Sequence, residues 1–292
     1  MLIPRRTFLA KAWTLTWVSA IGVLLPSSPV KAQTSTKPKH LEEALSLLEG
    51  LRLEGRPENN NYQHKLITVS WKGVNEASDY KSKADCSGFM SELLRHSYSG
   101  YFTQERFEQW MKKRRSRPLA EDFYNAIITQ KDFTQIKKMT EVKPGDIIAI
   151  KYIPDNDPET KDNTGHVMLV VERPKKRGST KPLVKKTLQW EVMVIDQSCS
   201  GHGKDDSRRK PGSSDDDFQP DDDRQADDER EQDNPCKPNK RFNDGLGKGT
   251  MRVYTHEEND DILGYTWSTF KNSEYYCPEE KHLVIGRLDL NF

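Results

Sequence analysis

Two kinds of hydrophobic pattern divide this chain, and their order constrains the fold more than any other feature. In the first half, apolar residues recur at helical spacing, as in the stripe formed by Phe89, Met90, Leu93 and Leu94. The second half instead carries short, β-rich apolar runs at residues 146–152, 166–172, 190–196 and 282–288. Helices followed by strands are typical of the α+β class, so we predict an α+β fold with a mainly antiparallel sheet.

The first 32 residues have the pattern of an export signal. Arg5-Arg6, followed by Phe8 and Leu9, precedes a mostly apolar stretch at residues 12–25 and a small-x-small cleavage pattern at residues 30–32. The paired arginines are typical of a twin-arginine signal, and an ordinary secretory signal is the alternative. Either signal exports the protein to the periplasm or beyond, with the signal cleaved or kept as an anchor. We expect no integral membrane segment in the mature chain.

The charge and length of residues 33–292 argue against a nucleic-acid-binding protein and favour one main domain. Without residues 1–32 the chain loses four positive charges, so the formal net charge falls from +1 to −3. That balance gives no indication of nucleic-acid binding. We expect a polar leader with a short helix at residues 33–61 and the main domain at residues 62–292, which is long enough for one buried core.

An acidic insertion interrupts the second half at about residues 204–240. It is rich in Asp and almost free of apolar residues, so it cannot bury enough surface to offset the entropy cost of ordering, and we predict disorder. A calcium-binding loop is the alternative, but the alternating acidic spacing around a central glycine that such a loop needs is missing.

Four cysteines occur at Cys86, Cys199, Cys236 and Cys277. In an oxidising compartment we expect a disulfide among the last three, with Cys199 bonded to Cys236 or to Cys277. A zinc site made of these three cysteines and His202 is the alternative, although the spacing is unlike that of a compact zinc finger.

Cys86 is positioned like a nucleophile. The run Asp85-Cys86-Ser87-Gly88-Phe89 falls at the predicted start of the helix that carries the apolar stripe. At that position, unpaired N–H groups and the positive end of the helix dipole stabilise a thiolate. Asp85 suits the capping position, and the backbone N–H of Cys86 is a candidate oxyanion donor. The alternative is a buried cysteine that acts as a small hydrophobic residue.

A cysteine nucleophile needs a base, and the base needs a polar group that orients its ring. Of the seven histidines, His166 follows a glycine and opens an apolar run, and Asp196 closes the next run. If those two strands are neighbours, the carboxylate of Asp196 reaches the imidazole of His166. His202 competes for an active-site role, but we interpret it as an exposed loop histidine.

These motifs resemble those of the NlpC-type cell-wall cysteine peptidases, a bacterial branch of the papain-like fold. Members of that family carry Asp-Cys-Ser-Gly-Phe at a helix start, as at residues 85–89 here. A Pro-Gly-Asp turn before a strand corresponds to residues 144–146, and Gly-His-Val at the next strand corresponds to residues 165–167. The family's third catalytic position is a variable polar residue, for which Asp196 is the best match. The resemblance spans about residues 62–292 and implies a papain-like catalytic domain.

The resemblance implies an exported cysteine hydrolase that acts on the peptides of peptidoglycan. The family's usual cut lies between D-glutamate and the diamino acid, and here a triad of Cys86, His166 and Asp196 would make it. We expect no metal or organic cofactor, and we expect a monomer. An inactive wall-binding module of the same fold is one alternative, and a thiol acyltransferase or amidase with another substrate is a second.

Three features of the sequence depart from the family pattern. The family's Tyr-x-x-Gly-Gly loop before the cysteine is replaced by Val69-Ser70-Trp71-Lys72-Gly73. The link between His166 and Asp196 is longer than usual, and the acidic insertion is not a general family feature. We therefore expect substrate contacts near the nucleophile to differ from those of the family.

Two further runs are given structural interpretations. The basic run at residues 112–117 is typical of a solvated helix face or loop, and contact with anionic wall polymers is the alternative. The glycine-rich run at residues 245–250 resembles a phosphate-binding loop in composition only, so we interpret it as a turn.

Overall fold

A computed structural model describes residues 37–152, 163–213, 236, 241–279 and 281–290. In this part of the chain the helices lie in the first half and the long strands in the second. The predicted α+β class with a mainly antiparallel sheet is confirmed. The expected export signal and most of the acidic insertion fall outside the described residues.

Four α-helices are described, namely α1 (Lys39–Glu54), α2 (Cys86–Ser97), α3 (Gln104–Glu108) and α4 (Ala120–Ile128). Two short 3-10 helices span Pro57–Asn59 and Met139–Glu141. The apolar face of α1 is buried at the spacing that the sequence predicts, and it joins the main core. Over the described residues, each helix is too short or too polar to cross a membrane.

A small sheet delivers the chain to α2. It consists of β1 (Asn60–Tyr62), β2 (Thr68–Ser70) and β3 (Lys81–Ala84), in the order β1-β3-β2, with β1 parallel to β3. These strands are short and polar, so they carry no alternating hydrophobic signal in the sequence. A single residue, Asp85, separates the end of β3 from the start of α2.

The large sheet contains the remaining strands: β4 (Phe133–Ile136), β5 (Ile147–Tyr152), β6 (Gly165–Val170), β7 (Lys175–Arg177), β8 (Thr187–Ser198), β9 (Gly245–His256), β10 (Ile262–Thr266), β11 (Tyr275–Tyr276) and β12 (Lys281–Leu288). Their order is β11-β10-β9-β8-β6-β5-β12-β4, and β7 pairs with β8. The pairings are antiparallel.

The glycine-rich run at residues 245–250 is not a turn, which corrects the sequence interpretation. It forms the first half of β9 and pairs with β8. A Cβ at Gly247 would lie 2.2 Å from Nε of Arg208, and one at Gly249 would lie 2.4 Å from Oδ2 of Asp206. The glycines are therefore needed because these two side chains pack directly against the strand backbone.

The central strands are buried on both faces. Ile147 and Ala149 of β5 join the core beneath the helices, and the alternating Ile148 and Ile150 join a second core on the other face. Burial on both faces explains why these strands read as continuous apolar runs. Residues of β10 and β12, which are far apart in the strand order, share the second core, so the sheet curls around it.

Candidate active site

Cys86 is the first residue of α2, as the sequence predicts. Oδ1 of Asp85 accepts a hydrogen bond from the Gly88 N–H at 2.7 Å, which is the geometry of a helix N-cap. The predicted apolar stripe on α2 is fully buried and fixes the helix against the sheet. N–H groups in the first helical turn have no acceptor within the helix, so that of Cys86 is available to a ligand.

The negative charge of Asp85 is balanced by two partners. Oδ2 of Asp85 accepts from the Arg117 guanidinium and lies 3.2 Å from Nδ1 of His64, and Arg117 also donates to Oγ of Ser87 at 2.7 Å. Burial raises the pKa of Asp85, but the hydrogen bond from His64 and the charge of Arg117 bring it below its ordinary value. The carboxylate therefore stays charged and keeps its capping geometry.

The interpretation of residues 112–117 as a solvated run is wrong for two of its arginines. The side chain of Arg117 is only 14% exposed because it is held by Asp85, and Arg115 pairs with the buried Asp122. A charge run that contains buried ion-pair partners cannot be distinguished from a solvated run by composition alone.

His166 and Asp196 lie on β6 and β8, which are neighbouring antiparallel strands. Nε2 of His166 is 2.6 Å from Oδ2 of Asp196, and both side chains are buried. Gly165, just before the histidine, has a φ of +139°, and a Cβ there would lie 1.9 Å from the carbonyl oxygen of Ile150. Only glycine permits this close approach of β6 to β5, which sets the position of His166.

The side chains of Cys86 and His166 interact electrostatically. Burial lowers the pKa of His166, but the negative charge of Cys86 and hydrogen bonds with Asp196 and Cys86 outweigh burial and raise the pKa to about 10. Burial raises the pKa of Asp196, yet the charges of His202 and Arg208 and its hydrogen bonds hold that pKa well below its ordinary value. The structure thus brings together the three residues that the sequence analysis selected.

His202 is not an exposed loop histidine, which corrects the sequence interpretation. Its side chain is 3% exposed, and its Nε2 lies 2.9 Å from Oδ2 of Asp196. Its Nδ1 lies 2.8 Å from the backbone oxygen of Trp267. Asp196 therefore contacts two histidines through one carboxylate oxygen.

The prediction of disorder from residue 204 onward is wrong at its start, because Asp206 and Arg208 are buried and bonded to each other. Arg208 donates to Oδ1 of Asp196 at 3.0 Å and to Oδ2 of Asp206 at 2.8 Å. Burial lowers the pKa of Arg208, but the two carboxylates outweigh it and raise that pKa. Asp206 and Arg208 are ordered because each is paired with an opposite charge in the interior. The acidic composition of this segment does not predict that pairing.

Tyr62, at the end of β1, is a neighbour of Cys86 that the sequence analysis missed. Burial, followed by the negative charges of Cys86 and Asp85, raises the pKa of Tyr62 well above its ordinary value. The phenol therefore stays protonated near the thiol. Its strand spans only three polar residues, so no local pattern in the sequence marks it.

Trp71 lies in the loop that lacks the family's tyrosine, and it is not beside the nucleophile. Its ring stacks on His96 with the ring centroids 3.9 Å apart, and its Nε1 donates to the Glu43 carbonyl at 3.0 Å. His96 is near the C-terminal end of α2, about 15 Å along the helix axis from Cys86. Trp71 therefore packs α1 onto α2 near the end of α2 that is far from the thiol.

Cys199 and Cys236 form a disulfide, which is one of the two pairings left open by the sequence. Two members of the alternative zinc set are therefore bonded to each other, and His202 is directed to Asp196. The described residues contain no cluster of three or more side chains suited to a metal ion. The zinc alternative is wrong because two of its three sulfur ligands are consumed in the disulfide.

Comparison with known proteins identifies a relative in a virus. The chain is 34% identical over 261 residues to the uncharacterized protein R653 of Acanthamoeba polyphaga mimivirus, and the match covers 88% of this chain and 99% of the viral protein. The chain belongs to the same family as that protein. No protein-family model matches the chain, and no solved structure matches it. The name of the viral relative states no activity.

Proposed function

We propose that this protein is an exported cysteine hydrolase of the NlpC type, with a papain-like catalytic domain and a triad of Cys86, His166 and Asp196. The observation that carries the proposal is a thiol at a helix N-terminus that interacts with a buried histidine, while Nε2 of that histidine lies 2.6 Å from a buried carboxylate. A reactive thiol needs these three parts in this order.

The electrostatics of the site support the chemistry. The raised pKa of His166, brought about by Cys86 and Asp196 against the effect of burial, favours a protonated imidazole near a thiolate. Because Nε2 of His166 is directed to Asp196, Nδ1 is the nitrogen left to exchange a proton with sulfur. Asp196 stays ionised, so it orients the ring and stabilises its positive charge.

The proposed reaction follows from these positions. The thiolate of Cys86 attacks an amide carbonyl, and the carbonyl oxygen takes the negative charge within reach of the Cys86 N–H. His166 gives its proton to the leaving amine as the C–N bond breaks, which leaves an acyl thioester on sulfur. His166 then takes a proton from water, the resulting hydroxide attacks the thioester, and the thiolate is released with a carboxylic acid product.

The proposed substrate is a peptidoglycan stem peptide, cut between D-glutamate and the diamino acid. This choice comes from the match of residues 85–89, 144–146 and 165–167 to the motifs of the cell-wall family. The packing of Trp71 on His96, away from Cys86, supports an active enzyme over an inactive wall-binding module. Acyl transfer to an acceptor other than water would use the same residues, and product analysis distinguishes it from hydrolysis.

We expect the purified protein to release new muropeptides from peptidoglycan fragments, detected by mass spectrometry. Cys86→Ala and Cys86→Ser should abolish the products, since each removes the thiolate while leaving the helix start intact. Cys277→Ser serves as the matched control, because it removes a thiol outside the proposed triad and should leave the products unchanged.

A second measurement separates the substrate from the chemistry. An electrophilic thiol probe should label Cys86 faster than an unactivated thiol at neutral pH. Rapid labelling without new muropeptides at any pH would contradict the substrate but not the reactive thiol. Slow labelling of Cys86, equal to that of the denatured protein, would contradict the enzyme itself.

A further inference from the structure

Asp196 is shared between more partners than the triad requires. Its Oδ2 lies 2.6 Å from Nε2 of His166 and 2.9 Å from Nε2 of His202, and its Oδ1 accepts from Arg208 at 3.0 Å. The carboxylate is fully buried, so its charge has to be balanced by these groups rather than by water. His202 and Arg208 are thus part of the environment that fixes the orientation of the carboxylate.

The hydrogen bonds of His202 require two donors. Its Nε2 faces the Asp196 carboxylate, and its Nδ1 is 2.8 Å from the carbonyl oxygen of Trp267. Both partners only accept hydrogen bonds, and a neutral imidazole carries a single N–H. Both contacts are therefore hydrogen bonds only when both ring nitrogens of His202 carry a proton.

Trp267 connects the second contact of His202 to the triad. The Trp267 ring packs edge-on against the His166 ring, with the ring centroids 5.3 Å apart and an interplanar angle of 88°. The His202 ring also stacks on the Trp267 ring at 6.2 Å. His202 thus contacts both the Asp196 carboxylate and Trp267, and each of these two groups contacts the His166 ring.

The segment that carries His202 is also anchored by contacts outside the triad. The His202 N–H donates to Oδ2 of Asp206 at 2.8 Å, and Asp206 in turn accepts from Nε and from a terminal nitrogen of Arg208. The Ser207 N–H donates to the Lys248 carbonyl of β9 at 2.8 Å. Because these bonds hold the backbone around His202, they also fix the position of its ring.

We propose that His202 is a positioning residue, which clamps the Asp196 carboxylate to the Trp267 backbone so that both hold the His166 ring in its reactive orientation. The proposal rests on the Cys86–His166 chemistry proposed above, but it does not depend on a peptidoglycan substrate. His202 acts through Asp196 and Trp267 and is given no contact with the reacting amide.

Two substitutions separate the two contacts of His202. In His202→Gln the amide nitrogen lies near the place of Nε2, so it can still donate to Asp196. In His202→Asn the amide nitrogen lies near the place of Nδ1, so it can donate only to the Trp267 carbonyl. The pair keeps the residue polar and neutral in both cases, which makes each variant the control for the other.

The first readout is the rate at which iodoacetamide alkylates Cys86 as a function of pH, measured by mass spectrometry on the full chain. We expect His202→Asn to lower this rate by about 10-fold or more at pH 7, the usual effect of losing a supporting hydrogen bond. The alkaline end of the profile should also move to lower pH, because a released Asp196 supports the protonated His166 less well. His202→Gln should depart less from the unaltered protein in both respects, because it loses the Trp267 contact but keeps the hydrogen bond to Asp196.

The second readout is nitrogen NMR of the histidine side chains, which needs no activity. In the unaltered protein both ring nitrogens of His202 should carry a proton at pH 7, and the ring signals of His166 should change more in His202→Asn than in His202→Gln. A single N–H on His202 in the unaltered protein would overturn the proposal, even if both variants failed to fold.

Two other outcomes would also overturn it. If the two variants alkylate with the same profile as the unaltered protein, His202 does not position the triad. If the alkaline end of the profile moves to higher pH in His202→Asn, His202 competes with His166 for the carboxylate instead of holding it.

If Cys86 of the unaltered protein is not activated, the proposed function fails, and the His166 ring signals alone decide the positioning role.

Discussion

The carboxylates near Cys86 are buried and depend on partners of opposite charge. Asp85 and Asp196 are both buried carboxylates; Asp85 is held by an arginine and one histidine, and Asp196 by an arginine and two histidines. Leaving a buried charge without a partner costs several kcal/mol, by an order-of-magnitude estimate, so each carboxylate depends on its partners. Two small ion networks, one around Asp85 and one around Asp196, therefore stabilise the site.

Tyr62 offers a test at this scale. We expect Tyr62→Phe to slow thiol labelling of Cys86 by about 10-fold, because a neutral hydroxyl that favours a nearby thiolate is worth about 1.5 kcal/mol. The measurement is the labelling rate at pH 7. Tyr124→Phe on α4 is the matched control and should label like the unaltered protein. Equal rates for both variants would show that the Tyr62 hydroxyl does not act on the thiol.

Helix α1 is joined to the rest of the domain by a buried histidine. Nε2 of His40 is 2.7 Å from the Gly145 carbonyl, and its Nδ1 is 2.7 Å from the Tyr98 hydroxyl. Burial lowers the pKa of His40 to about 4, against the opposing effect of the Gly145 hydrogen bond. His40 is thus neutral in the folded protein at neutral pH, and it links α1 to the turn before β5 and to the end of α2.

The lowered pKa of His40 predicts acid sensitivity. The unfolded chain binds a proton at His40 near the ordinary pKa of 6.5, whereas the folded protein does so only near 4. Stability from this group is therefore full above pH 6.5 and is lost as pH falls toward 4, by about 3 kcal/mol in total.

Denaturant unfolding at pH 7 and pH 4 provides the measurement. His40→Gln should lose less unfolding free energy over this interval than the unaltered protein does. His256→Gln, at the partly exposed end of β9, is the control and should lose as much as the unaltered protein. An equal loss in all three proteins would exclude His40 as the acid-sensitive group.

At the scale of the whole molecule, the disulfide joins positions that are 37 residues apart in sequence. Cys199 directly follows β8, and the segment after it carries His202, Asp206 and Arg208. The crosslink therefore closes a loop whose first part folds back onto the site. Such a crosslink stabilises a protein mainly by restricting its unfolded chain.

We expect the double variant Cys199→Ser/Cys236→Ser to lose about 3 to 4 kcal/mol of unfolding free energy, the value that loop entropy gives for a loop of this length. Denaturant unfolding in non-reducing buffer measures it. Cys277→Ser, which leaves the disulfide in place, should lose much less. A double variant as stable as the unaltered protein would contradict a structural role for the crosslink.

The hydrophobic pattern determined much of this molecule directly. Periodicity along α2 predicted a helix that begins at Cys86, because a buried stripe has to recur every turn. The apolar runs around His166 and Asp196 predicted two strands, and the order of helices and strands predicted the fold class. Asp85 was predictable as a cap because capping depends on residues three positions apart.

Tertiary structure alone decided which groups surround these residues. Tyr62, His202 and Arg208 reach the site from a polar strand and from the edge of an acidic run, where local sequence indicates solvent. They are brought there by strand pairings and by a disulfide between residues far apart in the chain. A buried ion network depends on which distant charges meet in space, and no short-range pattern encodes that meeting.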